Sequence, residues 1–211
     1  MRIRTVLLLA IVVLGFSVPA SAEPITFQFE GTLTYRTWFG ASDPSGGVIV
    51  VGTPFSGHYT FEPLAVGFVD SSGNVAYESP YEFDVLIGGF KFDVTGFLIG
   101  VNPNGYKVLN IGMPPGLPLD PFGGGFQAEL GLGGSTGTVF STSELPLVPP
   151  ALSLFAYPNF SIGGYAQNGG GLDYFIGGRV TSLTVQPVPE PTSLLLLGTG
   201  LVVSFRQACV I

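Results

Sequence analysis

Hydrophobic and polar residues alternate one by one through long stretches of the chain. In residues 25–35 the odd positions are apolar or Gly31 and the even positions are polar, and residues 55–61 repeat this arrangement. Successive side chains of a strand point to opposite faces, so a period of two is typical of a strand with one buried face. Pro63 ends the second run because proline has no N–H to donate to a sheet. We therefore predict strands at 25–35 and 55–61.

The clearest local prediction is a β-hairpin in residues 81–94. Two alternating runs flank Gly88-Gly89, and a two-glycine connection is typical of a tight hairpin turn with positive φ angles. The predicted register pairs Ile87 with Phe90, Val85 with Phe92, and Phe83 with Val94 on one face. The other face pairs Asp84 with Asp93, two like charges whose apposition is mildly unfavourable. Either a cation lies there or solvent screens the pair, and we expect screening.

Further short alternating segments predict an all-β fold. Strands are predicted at 96–101, 106–111, 125–132, 138–141, 151–155, 158–162, 172–176 and 179–186. Turn-forming clusters separate them, such as Asn-Pro-Asn-Gly at 102–105. About ten short strands at this spacing predict an antiparallel β-sandwich of jelly-roll type. We assign this domain to residues 23–187.

The N-terminus has the order of a secretory signal peptide. Arg2 and Arg4 precede an apolar stretch at 6–16, and Ala20-Ser21-Ala22 supplies the small residues of a cleavage site. An uncleaved membrane anchor is the alternative, but the apolar stretch is short for a bilayer core of about 30 Å. We therefore expect signal peptidase to cleave after Ala22.

A proline-rich segment and a second apolar run follow the predicted domain. Residues 187–193, Pro-Val-Pro-Glu-Pro-Thr-Ser, favour an extended linker because their prolines cannot continue a central strand. Residues 194–205 are almost entirely apolar. Twelve helical residues span only about 18 Å, so Leu194 to Phe205 predict an apolar helix with marginal, transient membrane association.

This tail resembles the PEP-CTERM sorting signal of Gram-negative bacteria. The resemblance rests on Val188, Pro189, Glu190, Pro191 and Thr192, followed by the apolar run. It implies recognition by exosortase, a membrane cysteine protease that processes the chain near the motif, and association with exopolysaccharide and biofilm. The body also resembles a β-rich domain that recurs in such proteins, and this resemblance rests on the segments 25–27, 57–61, 85–90, 145–147 and 151–155.

The end of the tail departs from that family's pattern. A basic cluster normally follows the apolar helix, but here it is reduced to Arg206, and Gln-Ala-Cys-Val-Ile follows. Because Lys and Arg residues set the orientation of a membrane segment, a single arginine weakens the stop signal. Cys209 is the only cysteine, so no disulfide can form within the chain.

Composition and charge exclude several functions. The chain has 32 glycines and 18 prolines among 211 residues, which disfavours helical bundles because both residues destabilise helix interiors. Seven basic and 14 acidic residues give a net charge of -7. Loss of Arg2 and Arg4 with the signal peptide leaves 5 basic residues against 14 acidic ones, a charge of -9. Such an acidic chain lacks the basic footprint of nucleic-acid binding.

Few residues suggest catalysis. His58, the only histidine, is expected on an exposed strand face, and one histidine cannot build a usual zinc site. The carboxylate pairs Glu78–Glu82 and Asp84–Asp93 are more typical of a solvated acidic face than of a glycosidase. Asp70 and Asn74 give a weak indication of calcium, although an ordinary turn explains them equally well. We otherwise predict no cofactor and no metal site.

One aromatic pair is a candidate ligand surface. Trp38 and Phe39 precede Gly40 in a segment with loop character, where exposed rings could stack on a carbohydrate, although burial in the core is more common for such residues.

The leading hypothesis is an exported, non-enzymatic protein of the outer envelope, cell surface or extracellular matrix, sorted by an exosortase-type system. A carbohydrate-binding module is the first alternative, and a glycan-active hydrolase using an Asp/Glu pair is the second.

Overall fold

The protein is all-β in the part of the chain that the structure, a computed structural model, describes. That part comprises residues 23–40, 42–69, 74–110, 118–135, 137–166 and 171–186. The strands are β1 Ile25–Trp38, β2 Pro54–Phe61, β3 Phe68–Val69, β4 Val75–Ile87, β5 Phe90–Asn102, β6 Gly105–Asn110, β7 Gly125–Gly133, β8 Tyr157–Tyr165 and β9 Leu172–Val185. A single 3-10 turn at Leu152–Leu154 is the helical element found within these ranges.

Eight of the strands form a closed antiparallel barrel. Each strand pairs with its neighbour in the order β1-β2-β4-β5-β6-β7-β8-β9, and β9 closes the barrel by pairing with β1. The short β3 pairs only with the start of β4. The chain enters at the start of β1 and leaves at the end of β9, and these lie at the same end of the barrel. We call this end the lower end, and the end that contains Trp38 the upper end.

The antiparallel all-β class is confirmed, whereas the predicted jelly-roll sandwich is not. A sandwich needs two separate sheets, but here all strands belong to one sheet that the β2–β4 and β1–β9 pairings close. Alternation along a strand cannot distinguish the two architectures, because inward and outward residues alternate in both. The difference lies in long-range pairing.

Aromatic rings fill the barrel interior. Phe55 and Phe160 lie with ring centroids 4.8 Å apart, and Phe29 lies 5.9 Å from Phe160. The ring of Phe55 occupies space that a Cβ on Gly31 or Gly178 would need. Part of the unusual glycine content therefore makes room for large aromatic side chains.

The predicted hairpin is confirmed with its register. Ile87 pairs with Phe90, and Asp84 pairs with Asp93. Gly88 and Gly89 have φ angles of 56° and 88°, which the tight turn requires. Four of the predicted segments merge into longer strands, since 90–101 belong to β5 and 172–185 belong to β9.

A β-bulge in β1 reverses the alternation that the sequence suggests. The pairing with β9 shifts between Leu33 and Tyr35, and an extra residue in one strand exchanges the inner and outer faces beyond it. Tyr35 is consequently 49% exposed rather than buried. Another shift lies in β4 between Ser79 and Glu82.

Loops close the two ends of the barrel. The predicted strands at 138–141 and 151–155 are wrong, because these residues lie in the β7–β8 connection. That connection instead buries Leu145 and Phe155 against the lower end of the core. At the upper end the β1–β2 connection buries Ile49 completely.

Several predictions concern residues outside the described ranges. These are the signal peptide with Ala20 and Ala22, the calcium candidate Asp70, the sorting motif and the apolar run. The domain boundaries at 22 and 187 stay predictions. Within the described residues, no helix has the length and apolar character needed to cross a membrane.

Candidate functional site

The two aromatic residues of the predicted ligand surface point in different directions. The bulge in β1 turns Trp38 toward the barrel end, where it pairs across the sheet with Tyr174 of β9. Phe39 is 56% exposed, and its backbone N–H donates to the carbonyl oxygen of Asp173 at 2.7 Å. The two rings therefore do not form one exposed pair. Trp38 lines a pocket, and Phe39 does not.

Trp38 lines a pocket of about 230 Å³ at the upper end. Its ring lies 5.1 Å from that of Tyr174 and 6.1 Å from that of Phe122, centroid to centroid. The rest of the lining comes from Gly40, Ser42, Pro44, Asp120, Gly124 and Asp173. The volume lies between the roughly 30 Å³ of one water molecule and the roughly 300–1,000 Å³ of drug-sized pockets. The pocket is thus the size of one small ring.

Asp120 is a buried carboxylate held by a tight turn. Its Oδ1 accepts hydrogen bonds from the backbone N–H groups of Phe122 and Gly124, at 2.9 and 2.8 Å. Its Oδ2 accepts one from the Tyr174 hydroxyl at 2.6 Å. A carboxylate offers about four acceptor positions, so these three bonds leave roughly one for a ligand. Buried carboxylates require such partners because desolvation of the charge is costly.

Tyr174 serves as a hydrogen-bond donor in this pocket. Burial raises its pKa well above the usual value, and the neighbouring Asp120 carboxylate raises it further. The hydroxyl therefore keeps its proton and continues to donate to Asp120 throughout the physiological pH range. A phenol in this state is not a general base.

The indole N–H of Trp38 has no hydrogen-bond partner. Among the described residues, it is the one buried nitrogen or oxygen atom of a side chain that makes no hydrogen bond. Leaving a buried donor unpaired costs about 1–3 kcal/mol, so such a group calls for an explanation. The nitrogen has almost no exposed surface, so a ligand in the pocket does not contact it unless the surrounding side chains rearrange.

The β1–β2 connection beside the pocket is fixed by a small polar network. Arg36 contacts the Oδ2 of Asp43 at 2.7 Å, and Oδ1 of Asp43 accepts from the backbone and hydroxyl of Ser45 at 2.8 and 2.6 Å. Desolvation alone would raise the pKa of Asp43, but the hydrogen bonds from Ser45 and the charge of Arg36 together lower it. Asp43 is therefore held ionised next to the pocket wall.

The predicted acidic face lies on the outer wall of β2, β4 and β5. Nδ1 of His58 lies 2.7 Å from Oδ1 of Asp84, and Nζ of Lys91 lies 3.4 Å from Oδ2 of Asp84. His58 is thus half-buried rather than exposed, and the side chain of Asp84 is only 16% exposed. A protein cation, Lys91, therefore offsets the Asp84–Asp93 apposition, and our expectation of solvent screening alone is wrong.

The other predicted carboxylate pair, Glu78 and Glu82, lies in two different environments. Glu82 accepts a hydrogen bond from Lys91 at 2.8 Å, which lowers the pKa of Glu82 and raises that of Lys91. Glu78 is exposed on the far side of the β4 bulge. Among the described residues, no group of three or more His, Cys, Asp or Glu side chains could hold a metal ion.

The sequence identified Trp38 but not its polar partners. Asp120 and Tyr174 are 54 residues apart, and only the folding of β9 beside the β6–β7 connection brings them together. Asp120-Pro121-Phe122-Gly123-Gly124 carries a local signal, since aspartate followed by proline and glycines is typical of a turn closed by the side chain.

The fold and the pocket define a small up-and-down barrel with a polar, aromatic pocket at one end. Residues 187–207 match the family model described as the PEP-CTERM protein-sorting motif. The resemblance noted in the tail is therefore confirmed, and it supports an exported, cell-surface-sorted substrate of an exosortase-type system. No curated protein and no solved structure matches the chain.

Proposed function

We propose that this protein is a non-enzymatic component of the extracellular matrix of a Gram-negative bacterium, where its barrel binds exopolysaccharide. The sorting motif at residues 187–207 supports delivery to the cell surface. The upper pocket supports a saccharide ligand. Its aromatic walls match the C–H faces of a sugar ring, and the remaining acceptor position of Asp120 matches a hydroxyl group.

The state of the acidic groups favours binding over hydrolysis. A glycosidase needs two carboxyl groups that flank the scissile bond, one acting as acid and the other as base or nucleophile. Asp120 is already bound by three donors, and Tyr174 retains its proton. These groups are suited to orienting a hydroxyl group rather than to transferring a proton during catalysis.

Binding is tested with the purified mature protein and a panel of immobilised polysaccharides. Trp38→Phe replaces the indole with a smaller ring and so reduces the aromatic wall of the pocket, and we expect it to weaken retention about tenfold, which is roughly 1.4 kcal/mol. Asp93→Asn removes an exposed charge on the outer wall and serves as the matched control. If Trp38→Phe is retained as strongly as the wild type, the pocket does not bind the polysaccharide.

Catalysis is tested on the same polymers. We expect no release of reducing ends by the wild-type protein over a day. Release that depends on Asp120 or Asp173 would show a hydrolase and overturn the non-enzymatic proposal.

Sorting is tested by replacing Pro189-Glu190-Pro191 with three alanines. The variant should accumulate unprocessed in the membrane fraction, with mass spectrometry of the mature protein giving both cleavage points. Release of the variant at the wild-type level would contradict sorting through this motif.

A further inference from the structure

A second concave surface lies on the outer wall of the barrel near its lower end. It is an open groove of about 370 Å³ that crosses β6, β7 and β8. Its floor consists of Gly131 and Gly133, at outward positions of β7. A Cβ on Gly133 would meet no atom within 4 Å, so the missing side chain leaves space that is open to a ligand.

An aromatic platform borders this groove on the β8 side. Tyr157 pairs with Gly133 across the sheet and is 65% exposed. Its ring packs over Gly134, whose φ is 74°, and a Cβ on Gly134 would overlap that ring. The ring of Tyr157 can take this position because Gly134 has no side chain.

Hydrogen-bonding groups make up the remaining walls. Asn159 of β8 lies beside Gly131, and Lys107 of β6 lies on the other side of the same glycine. Nζ of Lys107 is 2.8 Å from Oε2 of Glu129, so the charges in the groove balance. Amide groups at the β5–β6 turn complete the walls, from Asn102 and Asn104.

We propose that this groove binds a segment of a neutral polysaccharide chain. One flat ring beside amide, ammonium and carboxylate groups matches a ligand with C–H faces and many hydroxyl groups. The groove is an open trough, which suits a polymer passing through rather than a chain end. The predicted mature charge of -9 repels acidic polymers, which favours a neutral one.

The groove and the pocket together make the barrel bivalent for one polymer, an inference that rests on the proposed function of the pocket. The two sites are separate, since the pocket lies beside Gly124 at the start of β7 and the groove lies beside Gly133 at its end. Gly124 of the pocket and Gly131 in the groove floor are seven residues apart in the sequence, which is about 23 Å at roughly 3.3 Å per strand residue. Joining two weak contacts on one chain raises avidity by about 10²–10⁴.

The test is affinity electrophoresis of the mature protein in gels that contain dextran, laminarin or xylan, with alginate as the anionic comparison. Gly133→Val fills the groove, and we expect it to weaken the binding of a neutral polymer at least tenfold. Gly137→Val is the matched control, because Gly137 also faces open space but does not line the groove. Circular dichroism and Trp38 fluorescence confirm that each variant is folded.

Tyr157→Ala and Tyr157→Phe provide a second, independent pair. The alanine variant should lose binding as Gly133→Val does, and the phenylalanine variant should keep most of it, because the ring remains. If a polymer retards the wild type but neither Gly133→Val nor Tyr157→Ala reduces the retardation, the groove is not a binding site, and the proposed function of the protein still stands. Failure of every polymer to retard the wild type overturns both. Equal retardation by alginate overturns the assignment to neutral polymers.

Discussion

A single hydrogen bond joins opposite walls of the aromatic interior. The hydroxyl of Tyr59, on β2, donates to the hydroxyl oxygen of Tyr106, on β6, at 3.0 Å, and both residues are buried. Burial raises the pKa of both tyrosines, so neither ionises in the interior. Because each hydroxyl depends on the other, the pair is suited to a double-mutant cycle.

We expect Tyr59→Phe and Tyr106→Phe each to reduce the free energy of unfolding by about 1–3 kcal/mol, because each leaves the other hydroxyl buried without its partner. The double variant should be more stable than the sum of the single effects predicts, since no polar group is then left unpaired. Urea denaturation measures all four proteins. Strict additivity would show that the two hydroxyls do not depend on each other.

Asp43 makes the β1–β2 connection sensitive to acid. Its pKa is lowered in the folded protein below the reference of 3.8, so its contribution to stability is complete above pH 3.8 and is lost as the pH falls through the folded pKa. Proteolysis within residues 39–53 should therefore increase below that pH, as measured with an acid-stable protease. Asp43→Asn should be cleaved equally across the range, and acid sensitivity that persists in this variant would assign the effect to another group.

At the scale of the strands, glycines under aromatic rings differ sharply from glycines in open space. A Cβ on Gly31 would overlap both the ring of Phe55 and the backbone of Arg179, whereas one on Gly133 would meet nothing. We expect Gly31→Ala to cost about 1–3 kcal/mol through overpacking. Gly133→Ala should change stability by less than about 0.5 kcal/mol. Thermal unfolding compares the two, and equal losses would contradict the packing argument.

Local chemistry made the β4–β5 hairpin predictable, including its register, because Gly88-Gly89 fixes the turn and alternation fixes the faces. The β2–β4 and β1–β9 pairings were not predictable, because nothing within either strand specifies a distant partner. The segments 138–141 and 151–155 were wrongly predicted as strands for a different reason. Their apolar residues close the lower end of the barrel as a loop, and apolar content alone does not distinguish a loop that covers a core from a strand.

The pocket was only partly predictable. Trp38 stood out as the sole tryptophan in the chain, but the bulge between Leu33 and Tyr35 decides which neighbour turns inward. One extra residue in a strand leaves no distinctive mark on the sequence. Tyr174 reaches the pocket only because β9 pairs with β1, so the same long-range closure that defines the fold also assembles the site.

At the scale of the whole molecule, the first and last strands hold the barrel together. β1 and β9 pair along almost their full lengths, from Phe27–Val185 to Trp38–Tyr174. Opening this seam would expose the aromatic interior on both sides, so partial unfolding is costly. Cooperative unfolding of the entire barrel is the expected behaviour.

Trp38 fluorescence, which reports on the upper end, and far-ultraviolet circular dichroism, which reports on the whole sheet, should therefore give the same urea midpoint. Gly31→Ala should shift both curves by the same amount, which serves as the control. Separate midpoints for the two signals would show that the upper end unfolds on its own.

An even number of sequentially paired strands returns the chain to the end of the barrel from which it started. The sorting tail is therefore attached at the lower end, whereas the Trp38 pocket opens at the upper one. A protease acting on the tail and a ligand entering the Trp38 pocket would approach opposite ends of the barrel, whereas the groove beside Gly133 lies at the same end as the tail. On the proposed function, cleavage of the tail would therefore leave the Trp38 pocket unobstructed, and the pocket would be able to bind polysaccharide before the barrel is released from the membrane.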